Sequence, residues 1–366
     1  GAPAPSRAAL ALPADGYGFG QGGAPVSDSF DTTNRELDAV AGTTASWLRV
    51  PVEWSAIEAT KGQYNWGYLD NMVNSARARN LRILATVGFT PAWARPQGLG
   101  SLMWTTPPAN AADFAAFTRQ VVQRYGDRIS VWQIWNEPNL ALFFGFTNNK
   151  AAKYAELVKA AYPAIKAVQP NSTVVLAGLS RMSGDDAPPN FLNQLYANGI
   201  GGSFDAAAAH PYVFPSGLAA DPENGWSDVG RMHDVMAGNG DGGKKIWMTE
   251  LGAATSDDGD GVSQQEQARQ ISDVLGAVAA LPYADGDHRP LVVTTAAAVR
   301  PEPVDVQLPR IGDAEGPQQL AALTVGLGQV PGAHRGPTRE GPGIPVGGAF
   351  GEHVRGGIER FAMPEP

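Results

Sequence analysis

Seven segments of β-type apolar residues start near positions 17, 46, 82, 131, 173, 204 and 245, and each is followed by a helix-like segment. Strict alternation of this kind specifies a parallel sheet covered by helices, because a parallel strand needs a crossover to return to the same edge. Seven units by residue 280 point to a (β/α)8 barrel, a fold of about 250 residues. At 366 residues the chain is long enough to bury such a core. No shorter internal repeat is visible.

Composition excludes several classes. A formal net charge of −9 argues against nucleic-acid or polyanion partners. No run approaches about 18 uninterrupted apolar residues, so no transmembrane span is expected. With no cysteine there is no disulfide framework and no thiol chemistry. Residues 1–14, beginning Gly1-Ala2-Pro3-Ala4-Pro5-Ser6, lack a charged n-region and an apolar h-region. They read as a flexible lead-in rather than an intact signal peptide. A secreted monomer fits these features.

Two strands end in chemistry. Val131-Trp132-Gln133-Ile134-Trp135 runs into Asn136-Glu137, and Pro138 stops it at or before Glu137. Lys245-Ile246-Trp247-Met248-Thr249 runs into Glu250, with Gly252 close behind. Two strand-terminal carboxyls are what glycoside hydrolysis needs. One protonates the leaving oxygen, and the other attacks or stabilises the sugar cation.

With these residues the chain resembles the clan A glycoside hydrolases, retaining enzymes on a (β/α)8 barrel. The flanking pattern is most similar to the β-xylosidase, α-iduronidase and exopolysaccharide-hydrolase branch, with cellulase-like families next. The resemblance covers residues 15–283. It implies Glu137 as acid/base at the end of strand four and Glu250 as nucleophile at the end of strand seven. It implies that Arg49 hydrogen-bonds the nucleophile, that Asn136 bonds the sugar 2-hydroxyl, and that His210 and Tyr212 stand beside the nucleophile. No metal or organic cofactor is required, and the partner is an oligosaccharide or polysaccharide.

Other features leave two readings each. Arg49 lies among apolar residues, as a site residue or as an arginine snorkelling to the barrel edge. Trp54 follows strand two. Trp93 and Trp104 lie in the Gly/Pro-rich loop after strand three, and Trp226 in the loop after strand six. Their rings are candidate sugar platforms, or aromatics packed on their own loops. Phe143, Phe144 and Phe146 wall the site or pack beneath it. Gly18, Gly20 and Gly23 match a dinucleotide fingerprint, but Pro25 interrupts where a helix should open. The other reading is a strand that needs close backbone approach. Asp257-Asp258-Gly259-Asp260 reads as a solvated acidic loop before a calcium site, because no Glu stands at the required offset. The remaining histidines, His233, His288, His334 and His353, show no ligand spacing.

The eighth unit departs from the pattern. From residue 284 to 366 there is no Trp, Tyr, Lys or Asn, and Gly plus Pro make 25 of 83 residues. This tail reads as a frameshifted GC-rich gene or an unrelated graft, mostly disordered by composition. Leu291-Val292-Val293-Thr294-Thr295 has strand character, and Gln318–Leu327 could form a helix. The competing function is therefore a non-catalytic glycan-binding barrel or an inactive relative. A nucleotide-dependent oxidoreductase rests on the glycines alone.

Overall fold

The computed structural model describes residues 16–20, 29–43, 45–96, 105–145, 147–255 and 261–281, with the backbone of 291–294. Eight strands form one parallel sheet. They are β1 (Tyr17–Gly20), β2 (Trp47–Glu53), β3 (Arg82–Gly88), β4 (Val131–Ile134), β5 (Thr173–Ser180), β6 (Ala206–His210), β7 (Lys245–Met248) and β8 (Leu291–Thr294). Their order is β7-β6-β5-β4-β3-β2-β1-β8. The sheet curls until residues of its end strands β7 and β8 come within 8 Å between Cα atoms. The architecture is a (β/α)8 barrel, and the strand-like run at 291–294 supplies its eighth strand, paired Tyr17↔Leu291 through Gly20↔Thr294.

Helices fill the crossovers. They are α1 (Phe30–Ala41), α2 (Trp54–Ile57), α3 (Gly67–Ala78), α4 (Ala111–Tyr125), α5 (Ala141–Phe144), α6 (Lys150–Val168), α7 (Pro188–Ala197), α8 (Ser227–Gly238) and α9 (Gln264–Ala279). Caps set several starts. Asn110 accepts from the backbone of Ala112, and Ser263 from that of Glu266. Such caps satisfy amides the first helical turn leaves open. Pro107-Pro108 lie just upstream of the Asn110 cap.

Alternation along the strands separates two cores. Leu48, Val50 and Val52 face the helices and join the large outer core. Trp47, Leu84, Val131, Val175, Ala206, Ala208 and Trp247 fill the barrel lumen. The Trp47 and Trp247 rings meet edge-on there at 6.1 Å. Ala206 and Ala208 share the lumen with these two indoles, while Ala207 and Ala209 join the outer core. Close packing explains the glycine in β1. A Cβ on Gly18 would lie 2.2 Å from the carbonyl oxygen of Trp47. Close backbone approach is therefore the function of that residue.

Strand β2 runs through Pro51 to Glu53. Among the described residues its register with β1 runs to Gly20↔Arg49. Its register with β3 continues through Glu53↔Gly88, and among the described residues that is its pairing beyond Arg49. A proline is tolerated on such a local edge, where no second ladder needs its missing N–H. The hydroxyl of Tyr68 on α3 donates to the Pro51 carbonyl oxygen and accepts from the Glu53 amide.

Trp104, Phe146, Gly23, the Asp257–Asp260 run, His288, His334, His353 and the 318–327 helix lie outside the described residues. No helix among the described residues is long and apolar enough to cross a membrane.

Candidate active site

Above the apolar lumen floor the inward positions turn polar. Arg49 on β2, Thr86 on β3, Gln133 on β4, His210 on β6 and Thr249 after β7 are all buried. Gln133 satisfies all of its amide. Its Oε1 accepts from Arg49 Nε at 3.0 Å and Thr86 Oγ1 at 3.1 Å. Its Nε2 donates to the Leu176 carbonyl and to Thr249 Oγ1, both at 3.0 Å. A fully satisfied buried network is rigid, because each member loses a partner if any one moves.

Arg49 is the hub of the layer above. Its Nη1 donates to Glu250 Oε1 at 2.5 Å and its Nη2 to Asn136 Oδ1 at 2.8 Å. An arginine only donates, so Asn136 must present its oxygen to it. The Asn136 amide nitrogen is left without a hydrogen-bond partner among the described residues.

Glu137 reaches the lumen through a distorted backbone. β4 ends at Ile134, and Trp135 and Glu137 have φ of 70° and 41°. Left-handed geometry is costly for bulky residues, on the order of 1–3 kcal/mol each. Packing holds it in place. The Trp135 indole meets Phe89, Phe114 and Phe144 edge-on and donates to the Phe143 carbonyl. The phenylalanines after β4 thus act partly beneath the site, with Phe144 buried and Phe143 half-buried.

His210 Nδ1 lies 2.8 Å from Glu137 Oε1, and His210 Nε2 lies 3.0 Å from Thr249 Oγ1. Thr249 Oγ1 already accepts from Gln133, so its own proton is free to point at Nε2. That tautomer, assigned from the network, leaves Nδ1–H to donate to Glu137. His210 also needs space on β5. A Cβ on Gly178 would fall 2.0 Å from its Nε2, so only glycine fits there.

Glu250 accepts from the Tyr212 hydroxyl at 2.9 Å on its other oxygen. Burial works against its ionisation. The charge His210 carries when protonated, the Arg49 guanidinium and the Tyr212 hydroxyl outweigh burial and hold the carboxyl below the ordinary glutamate range. Arg49 and Tyr212 act whatever the state of the imidazole.

One oxygen of Glu137, one of Glu250 and a ring nitrogen of His210 lie within 4.8 Å of one another. Three ligand-type groups at that spacing could in geometry hold a cation. Arg49, however, already puts a positive charge on Glu250, and the imidazole nitrogen is engaged by Glu137.

The structure therefore brings together Glu137, Glu250, Arg49, Asn136, His210 and Tyr212. It does not bring in Trp54, which is 0% exposed. As a correction, Trp54 is a core residue. It stacks on Phe117 at 5.6 Å and donates its indole N–H to Glu58. Trp93 is half-buried, meets Trp54 edge-on and donates to the Glu58 carbonyl. Trp226 is half-buried against the core at the start of α8. Sequence reasoning passed over Gln133, Thr86 and Thr249. Their signal was a polar residue at an inward position of an otherwise apolar strand.

A family model described as cellulase (glycosyl hydrolase family 5) matches residues 12–281. A β-xylosidase from Geobacillus stearothermophilus is 30% identical over 121 residues, which are 30% of this chain and 24% of that protein. Among solved structures, a family 39 glycoside hydrolase from Bacteroides cellulosilyticus superposes with a TM-score of 0.60 at 18% identity. That match covers 85% of this chain and 64% of the other. A monomeric β-xylosidase from Caulobacter crescentus gives a TM-score of 0.54 at 19% identity, over 76% of this chain and 59% of the other. The chain thus spans less than two thirds of the length of each of these relatives.

Proposed function

The chain belongs to the cellulase family, glycosyl hydrolase family 5, and from that premise we propose that it is a retaining glycosidase acting on β-linked oligo- or polysaccharides. The observation that carries this reading is the approach of the Glu137 and Glu250 carboxyls to within 4.8 Å, oxygen to oxygen. Retaining enzymes set their carboxyls about 5–5.5 Å apart, and inverting ones leave about 6.5–9.5 Å for a water.

Glu250 is the nucleophile. Held ionised by Arg49 and Tyr212, it attacks the anomeric carbon and forms a glycosyl ester. Glu137 is the acid and then the base. With Oε1 occupied by His210, its Oε2 is left to carry the proton to the glycosidic oxygen, and later to take one from water. The unpartnered Asn136 amide donates to the sugar 2-hydroxyl, a contact that strengthens as the oxocarbenium-like state forms. His210 positions Glu137 through its link to Thr249. Trp93 and Trp226 remain proposed sugar contacts through their exposed edges. We place the site between residues 15 and 283, and propose secretion as a monomer because the substrate is polymeric.

The test uses Glu137→Gln and Glu250→Gln with aryl β-xylosides and β-glucosides. Each variant is expected to lose at least about 1000-fold in kcat while still folding cooperatively, with Glu250→Gln melting lower because it strands the Arg49 charge. Near-normal turnover by either removes its assigned role. Saccharide binding without turnover by the wild type favours the non-catalytic reading.

A further inference from the structure

A third buried carboxyl lies on the strand that carries Arg49. Glu53 ends β2 with the same alternation as Trp47 and Arg49, so its side chain projects to the lumen side while Val50 and Val52 face the helices. It is 9% exposed, and its carboxyl has no hydrogen-bond or ion-pair partner among the described residues. Its oxygens are not among the fully buried unpartnered polar atoms of the described residues, so they keep some contact with solvent, where a ligand could reach them. The fold does nothing to relieve it and much to aim it. Tyr68 pins the backbone on either side, binding the Pro51 carbonyl and the Glu53 amide.

Register gives its height. Glu53 pairs with Gly88, and Gly88 abuts the Trp135 ring. Glu53 therefore stands level with the start of the Trp135-Asn136-Glu137 turn, two strands away. Two inter-strand spacings are about 10 Å, roughly one sugar ring with a hydrogen bond on either side.

We propose that Glu53 is a substrate-binding residue of this site, whose carboxyl donates a hydrogen bond to a ring hydroxyl of the sugar seated against Glu250. The assignment rests on the glycosidase reading above. Burial pushes the Glu53 carboxyl up to about 7, so it holds a proton to donate in weakly acidic and near-neutral media. The titratable group that Glu53 acts on from the packed helix is Tyr68, and Arg49, four residues back on the same strand, is engaged with Glu250 and Asn136. The ligand class is a neutral sugar, whose hydroxyl accepts from the acid without bringing a second negative charge.

The experiment compares wild type, Glu53→Ala and Glu53→Gln at pH 6 on 4-nitrophenyl β-xyloside and β-glucoside, with melting temperatures alongside. E53A is expected to lose at least tenfold in kcat/KM, mainly through KM. E53Q keeps a donor and should return to within about threefold of wild type. Both should melt at or above the wild-type temperature. Active wild type with unchanged E53A overturns the role of Glu53 alone. Equal losses in E53A and E53Q, or losses accompanied by lower melting temperatures, overturn it in favour of a charge or packing role. Wild type that cleaves neither glycoside overturns the assignment together with the reading of the whole site.

Discussion

Arg49 decides the electrostatics of the site. It is buried and spends three nitrogens on three different residues, Gln133, Asn136 and Glu250. Removing one partner of a buried ion pair typically costs about 3–5 kcal/mol, because the other charge is stranded. Arg49→Met should therefore lower stability and let the Glu250 carboxyl rise towards and beyond its ordinary range. The sign is fixed by linkage. A depressed carboxyl stays ionised until the pH falls through its folded value, so a less depressed one is neutralised at higher pH. The acid limb of the kcat/KM profile should move upward in this variant, with activity at its optimum down by on the order of 100-fold. A profile with an unmoved acid limb would contradict the link between Arg49 and Glu250 as the proposed nucleophile. At this scale the two glutamates were legible because apolar strands end in them, whereas Asn136, His210 and Tyr212 were implied by the resemblance, and Arg49 by a charge among apolar residues together with it. Gln133, Thr86 and Thr249 were not, because an uncharged residue inside a strand gives no such break. Trp54 misled because an aromatic after a strand reads alike whether it faces a ligand or the core.

Among the elements, β2 carries the most unusual content: a proline, a buried arginine and a buried unpaired acid within seven residues. The acid has a stability consequence of its own. The Glu53 carboxyl is raised from 4.5 to about 7 by burial. Between those values the folded chain keeps a proton that the unfolded chain releases, so stability falls as pH rises through that window. The full loss is about 3 kcal/mol at 1.36 kcal/mol per unit. Glu53→Gln should match wild type in melting temperature below pH 4.5 and exceed it above pH 7. Melting curves at pH 4 and pH 8 check this, and a constant gap between the two chains would refute it. Helix ends were less legible than helix existence. α4, for example, starts after the Asn110 side-chain cap, two residues beyond the Pro107-Pro108 pair. Prolines mark where a helix has not yet begun as readily as where it starts.

For the whole molecule, strand–helix alternation carried the barrel, because parallel pairing allows few other arrangements. The eighth strand was legible only as a short apolar run inside a segment of foreign composition. Its place beside β1 depends on pairing across more than 270 residues, which no local pattern encodes. The closed sheet is what makes the chemistry available. It takes two glutamates 113 positions apart in the sequence and sets their oxygens within 4.8 Å of each other. The account stands or falls on which of them bonds to the sugar. Incubation with an activated 2-deoxy-2-fluoro-β-glycoside, followed by peptide mass spectrometry, reads this directly. The account predicts a single adduct on the peptide containing Glu250, absent in Glu250→Gln. An adduct on Glu137 or on any other residue, or turnover with inversion of the anomeric centre and no adduct, would contradict it.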